Sequence, residues 1–278
     1  MSDPSSSAAM AAEPFAPLAQ AGDWPLLRAE RSGAVVHVRL ARPDKRNALS
    51  DALVVQLRAC FEAMPDDVRA IVLSGEGGHF CAGLDLAELI ERDAVQGMQH
   101  SRMWHATMDA VQFGRAPVIA VLHGATVGGG FELAASCHLR VAEPSTYFAL
   151  LEGQRGLFVG GGGSVRIPRL IGVARMTDMM LTGRTLGVAE AEAMGLVQYA
   201  MPAGEGVARG VALARKIATN ARVSNLAVMH ALPRIADLDQ PHGLFMESLM
   251  AAVSSSAPEA TARIREFLAG RAGRVTRS

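Results

Sequence analysis

Residues 118–136 restrict the fold more than any other stretch: Val118-Ile119-Ala120-Val121-Leu122-His123-Gly124-Ala125-Thr126-Val127-Gly128-Gly129-Gly130-Phe131-Glu132-Leu133-Ala134-Ala135-Ser136. After Pro117 comes a short apolar run with the length and composition of a buried strand. Three successive glycines follow, and then a run of helix-favouring residues. The segment therefore predicts strand, glycine turn and helix start. Glycine lets a backbone come close to a ligand because no Cβ intervenes. The first helical turn leaves N–H groups unpaired at the positive end of the dipole. That equipment suits an anion, or an oxygen that becomes one, and Glu132 stands one turn into the same helix. A triple glycine taken alone is better explained by a tight turn with close helix packing. It is no P-loop, since no Gly-Lys-Ser or Gly-Lys-Thr follows, and its spacing is not a dinucleotide fingerprint.

A second stretch repeats the pattern. Ala70-Ile71-Val72-Leu73-Ser74 reads as a strand and runs on through Gly75-Glu76-Gly77-Gly78-His79-Phe80-Cys81-Ala82-Gly83-Leu84-Asp85-Leu86. A helix is expected from there to 113, with Asp85 as its cap and His79 in the loop. Two such turns side by side can aim two backbone N–H groups at one point, which is how an oxyanion hole is built. Earlier, Val35-Val36-His37-Val38-Arg39-Leu40 alternates as a strand, with His37 expected on its surface. A polar turn carries the adjacent charges Lys45 and Arg46. Ser50 then caps a helix expected over 51–63, with Leu53, Leu57, Cys60, Phe61 and Met64 on one face. Residues 138–142 read as a further strand, and four glycines stand at 160–163. Beyond them the pattern is helical, at 174–181, 188–195, 206–220, 226–232, 244–253 and 259–269. An alternating strand–helix part, 23–205, thus precedes an all-helical part, 206–278.

Composition excludes several classes. At 278 residues, half of them apolar, the chain can bury a large core. A formal net charge of zero argues against a nucleic-acid protein that binds through bulk positive charge. Aromatic residues at 5% disfavour a base-stacking surface. Cys60, Cys81 and Cys137 are an odd count at wide spacing, as expected of buried thiols in a reducing compartment and not of a disulfide framework or zinc site. Residues 1–22 are rich in Ser, Ala and Pro and are expected to be a disordered tail. They lack the pattern of a secretory signal or an arginine-rich transit peptide. No apolar run approaches membrane-spanning length, so no membrane partner and a cytoplasmic location are expected.

Several motifs in order now carry a resemblance. They are Arg42-Pro43-Asp44-Lys45-Arg46-Asn47-Ala48-Leu49, Phe80-Cys81-Ala82-Gly83-Leu84-Asp85-Leu86, and His123-Gly124 through Gly129-Gly130-Phe131-Glu132. Phe148 through Glu152 with the glycine run follows, then Gly183-Arg184 with Ala189, Ala191 and Met194-Gly195-Leu196-Val197. By these motifs the chain, from about 29 to 271, resembles the crotonase family, the enoyl-CoA hydratase/isomerase superfamily.

The resemblance implies an α/β fold: a crotonase-like spiral of repeated ββα units with a C-terminal α-helical trimerisation region. It implies a substrate held as a coenzyme A thioester, with no cofactor or metal besides, and a homotrimer or hexamer. The oxyanion hole carries over to the N–H groups of Leu84 and Gly129. The two carboxylates of the hydratase branch, which hold a water at the double bond, carry over to Glu132 and Glu152. Contacts to the CoA ester carry over to Lys45, Arg46, Ala48, Ala82, Leu84, Asp85 and Leu86, with Arg271 or Arg274 reaching the phosphates from a neighbouring subunit. Met98, Met103, Trp104 and Met108 serve as core or as the wall of an acyl pocket.

Two departures bear on that pocket. Leu157-Phe158-Val159 and four glycines stand where a proline and paired glycines are usual, and this loop is expected beside the acyl chain and Glu152. Leu84 is bulkier than the small residue common in hydratases. Enoyl-CoA hydration is the expected reaction. The alternatives are a double-bond isomerase working with one glutamate and a non-catalytic acyl-CoA- or RNA-binding member of the fold.

Overall fold

The computed structural model describes residues 13–18, 22–88 and 90–270. The chain enters through β1 (Ala16–Pro17) and the hairpin β2 (Leu27–Ser32) and β3 (Val35–Leu40). β1 falls within the stretch expected to be a disordered tail and corrects that expectation for residues 13–18. Ala16 and Pro17 pair with Arg31 and Glu30, and Leu18 is buried, so apolar burial and ladder bonds hold this edge in place. The rest of that expected tail, 1–12 and 19–21, lies outside the described residues, as do Arg271 and Arg274.

The remaining strands are β4 (Ala70–Gly75), β5 (Val118–Leu122), β6 (Ala125–Val127), β7 (Leu139–Ala142), β8 (Tyr147–Ala149), β9 (Leu186–Gly187) and β10 (Tyr199–Ala200). Seven strands form one sheet in the order β1-β2-β3-β4-β5-β7-β10, and β6-β8-β9 form a second. Within the large sheet every neighbouring pair from β3 to β10 is parallel, which demands crossover connections. The first three run through α1 (Asp51–Glu62), α2 (Ala94–Gln112) and α3 (Gly129–Ser136), and the last, from β7 to β10, runs through the helices between residues 163 and 193.

Each turn of the chain adds one strand to the large sheet and one short extended segment beside the previous one. Val38 pairs with Leu73, Leu73 with Ala120, and Ala120 with Arg140. On the second side, Leu49 bridges Leu84, Cys81 bridges Thr126, and Thr126 pairs with Phe148. This stacking is the expected spiral. The inward residues Val36, Val38, Leu40, Leu73 and Leu122 join Leu53, Leu57, Phe80, Met108 and Phe131 in the main core.

The outer face of the large sheet is covered as well. After α4 (Gly163–Ile171), α5 (Val173–Thr182) and α6 (Val188–Ala193), helix α7 (Gly206–Ala218) lays Leu213 and Ala214 against Val72, Ile119, Val121 and Val141. His37 is therefore not a surface residue, contrary to its alternating pattern. It is buried beneath Phe15, hydrogen-bonded to Ser74 Oγ at 2.8 Å, and burial pushes it down to about 4. The helix expected from 85 begins only at Ala94. Asp85 turns to Arg42 (2.9 Å) and supports just a 3-10 turn, Leu86–Glu88, while Asp93 and Gln96 form the capping box that starts α2.

The chain closes with α8 (Arg222–His230), α9 (Leu232–Ile235), α10 (Gln240–Ser256) and α11 (Pro258–Leu268). Met229 is buried, but Leu244, Phe245, Leu249, Ile264, Phe267 and Leu268 are exposed on α10 and α11.

Asn47 joins the two loops below the site. Its Oδ1 accepts from Arg42 N (2.9 Å), and its Nδ2 donates to Glu76 O (2.9 Å) and His79 O (2.7 Å). It is buried and holds a left-handed φ of 51–55° together with Arg46. Asn47→Ala strands three backbone groups and is expected to cost about 3 kcal/mol. Urea denaturation followed by circular dichroism checks this; a loss within a few tenths of a kcal/mol counts against the tether.

Candidate active site

The two glycine turns lie side by side, as their spacing predicts. Cys81 N–H donates to Ala125 O (2.9 Å) and Val127 N–H to Cys81 O (3.1 Å). At Gly83, φ is +92°, and a Cβ would lie 2.6 Å from Val127 O and 3.4 Å from Gly129 N. At Gly128, φ is +51°, and a Cβ would lie 2.7 Å from Glu152 Oε1. Only glycine combines that backbone with that proximity. The N–H groups of Leu84 and Gly129 have no hydrogen-bond partner among the described residues. Both residues line one cavity of ≈ 550 Å³. A separate cavity of ≈ 700 Å³ lies between α1, α2 and α8 and holds none of the expected site residues.

Glu132 and Glu152 both face the smaller cavity. Glu132 rides on the first turn of α3 and is only 3% exposed. Its Oε1 accepts from Gly161 N and Gly163 N, each at 2.8 Å. Burial pushes the carboxyl up to about 7 against the pull of the Gly163 and Gly161 amides, and repulsion from Glu152 adds to the rise. Glu152 follows β8. Its Oε2 is buried with no partner among the described residues, and burial raises its pKa as well. Two carboxyls in one cavity, each raised by burial, suit a proton exchange in which one gives while the other takes.

The other expected positions divide. Ala82, Leu84 and Leu86 line the cavity. Lys45 and Arg46 are exposed on the neighbouring 3-10 turn and do not line it. Ala48 is buried, with its carbonyl taking a bond from Arg42 Nη1 (2.6 Å). Asp85 pairs with Arg42, which holds its carboxyl below the usual range. Trp104 is both core and pocket wall, only 4% exposed and lining the cavity. Among the described residues no three His, Cys, Asp or Glu side chains are grouped to hold a metal ion.

Sequence reasoning missed some of the wall. The glycine run lines the cavity together with Glu152, as expected, but its amides also grip Glu132 across some thirty residues of chain, which was not. Arg92, His100 and Arg155 also line the cavity. His100 Nε2 is tied to Asp51 Oδ1 at 2.7 Å, a pairing 49 positions apart that leaves no local signal.

The burial of Glu132 has a consequence for stability. Its folded pKa of about 7 lies above the ordinary 4.5. A carboxyl raised in this way costs no stability below its unfolded pKa and its full penalty above its folded one. The penalty amounts to roughly 3 kcal/mol. Glu132→Gln is therefore expected to match the native protein in stability at pH 4 and to melt several degrees higher at pH 8. Thermal melts at the two pH values test this, and equal melting at pH 8 would contradict it.

Similarity to known proteins follows the same lines. The family model for enoyl-CoA hydratase/isomerase matches residues 30–268. A bovine protein named enoyl-CoA hydratase domain-containing protein 2, mitochondrial, is 35% identical over 222 residues, 77% of this chain and 75% of its own. Enoyl-CoA hydratase EchA19 of Mycobacterium tuberculosis is 31% identical over 73% of this chain and 78% of its own. A crystal structure of a candidate enoyl-CoA hydratase from Rhodopseudomonas palustris superimposes with a TM-score of 0.87 at 52% identity, covering 91% of this chain and 98% of that one. The paired glycine turns, the spiral that stacks them and these matches lead to one conclusion: the chain belongs to the enoyl-CoA hydratase/isomerase family of the crotonase superfamily.

Proposed function

We propose that this chain adds water across the α,β double bond of an acyl-CoA thioester. The observation that carries this reading is the pair of carboxyls, buried Glu132 and half-buried Glu152, on the same cavity as the two unpaired N–H groups of Leu84 and Gly129. The thioester oxygen sits between those N–H groups, which stabilise the enolate as negative charge moves onto it. Each donor of this kind is worth about 3–4 kcal/mol of barrier. A water lies between the carboxyls. The ionised one takes its proton as the oxygen bonds to the β-carbon, and the protonated one gives its proton to the α-carbon. The products are the 3-hydroxyacyl thioester and a carboxyl pair with its proton exchanged. Two amides occupy Oε1 of Glu132, which leaves Oε2 for the water.

Lys45 and Arg46 meet the phosphates of CoA outside the cavity, with Ala48 and Asp85 shaping the same loop and Ala82 and Leu86 flanking the thioester arm. No further cofactor is needed. The exposed apolar faces of α10 and α11 pack against other copies in a trimer or hexamer, since unburied they would form a patch large enough to mark an interface. A cytoplasmic location is proposed with them; among the described residues no helix is long and apolar enough to cross a membrane.

Four experiments test this reading. Loss of the enoyl thioester ultraviolet band should report hydration of crotonyl-CoA or cinnamoyl-CoA. Glu132→Gln and Glu152→Gln should each lower kcat by orders of magnitude with little change in KM. Unchanged turnover in Glu152→Gln would favour a one-glutamate isomerase, and ester binding without turnover in the native protein a binding role. Lys45→Ala should weaken acyl-CoA more than acyl-pantetheine, and equal weakening would remove the phosphate contact. Light scattering should give the mass of three or six chains. An active monomer in dilute solution would rule out the assembly.

A further inference from the structure

Glu132 is gripped by a loop that has no side chains of its own. Residues 160–163 are all glycine, the sequence with the greatest backbone freedom to lose. Yet the N–H groups of Gly161 and Gly163 must both stay 2.8 Å from one carboxylate oxygen. Something outside the loop has to hold it there, and α2 does so. Ser101 Oγ donates to Gly160 O at 2.6 Å. Arg166, in the first turns of α4, donates from Nε to Gln112 Oε1 (2.6 Å), from Nη2 to Asp109 Oδ1 (2.6 Å) and from Nη1 to Gly161 O (3.4 Å). Its side chain is only 10% exposed, so this fork is held in a fixed place.

We infer that Arg166 is a positioning residue, which ties the glycine loop to Asp109 and Gln112 of α2 and thereby orients Glu132. The inference rests on Glu132 being one member of the acid–base pair. Hydrogen bonds to the ionised carboxylate favour that form, so a loosened loop leaves Glu132 less able to ionise. The charged groups facing this assembly are Asp109 on α2, Glu132 on α3, Arg169 on α4 and Glu152 across the cavity, with His105 beside Ser101. Arg166 acts on Glu132 through the amides and, more weakly, through its own charge.

The experiment follows the carboxyl itself. Carbon-13 NMR of glutamate-labelled, ligand-free protein tracks the titration of Glu132, assigned by its loss in Glu132→Gln. Arg166→Met is expected to raise the titration midpoint by about one unit, and Arg166→Lys, which keeps the charge and loses the fork, by a smaller amount. In crotonyl-CoA hydration, Arg166→Met should lower kcat about 10–100-fold with KM nearly unchanged, and the acid limb should move up with the NMR midpoint. Should Arg166→Met not fold, Asp109→Asn and Ser101→Ala are read for the same upward movement. A fall in melting temperature with the Glu132 midpoint unmoved reduces Arg166 to a brace between α2 and α4 and overturns the inference. A midpoint that moves in Arg166→Met but not in Arg166→Lys assigns the effect to charge alone and overturns it too. The titration does not depend on turnover. If the native protein fails to hydrate crotonyl-CoA while the midpoint still moves in both variants, the proposed reaction falls and the positioning role stands.

Discussion

A carboxylate kept from water needs hydrogen bonds or it gives up its charge, and much of this structure serves that one need at Glu132. The side chain is almost wholly enclosed, and two backbone amides meet a single one of its oxygens. Burial and the nearby Glu152 push it towards the neutral form while the amides pull it back. The balance leaves it near the point of ionisation at neutral pH, where an acid–base group is most useful. A more exposed glutamate would be a weaker base, and one without the amides would be harder to ionise.

That balance depends in turn on the spiral. Each turn of chain places a strand in the large sheet and a short extended piece beside the last one, so that the loops following successive turns stack. Stacking leaves no room for a Cβ at Gly83, beside Val127 O and Gly129 N, or at Gly128, beside Glu152. The apolar strands supply the cohesion, because the large sheet is covered on both faces, by the main core and by α7. The polar loops are then fixed by side chains such as Asn47, Arg42 and Arg166, which bond to backbone rather than to solvent.

Much of this was legible in the chain. The aliphatic runs at 35–40, 70–75 and 118–122 are strands, Ser50 caps its helix, and the C-terminal helices lie within a few residues of their expected limits. These are properties of period and capping, which act over a few neighbours. The errors came where a distant partner decided the outcome. His37 alternates as a surface residue would, but Phe15 covers it. Asp85 reads as a cap, but Arg42, 43 positions away, takes its carboxylate, and α2 waits for Asp93.

The candidate site divides along the same line. Local sequence determined that two glycine turns lead towards helices, that a glutamate follows one of them, and that the ordered motifs resemble the crotonase family. Glycine permits close approach, but it does not say what approaches. Tertiary structure decided that the amides at 161 and 163 hold Glu132 and not Glu152, that Trp104 closes the pocket, and that Lys45 and Arg46 stand outside it. The physical reason is that hydrogen bonds and desolvation depend on distance in space, and a spiral brings together groups that lie 30 to 50 residues apart along the chain.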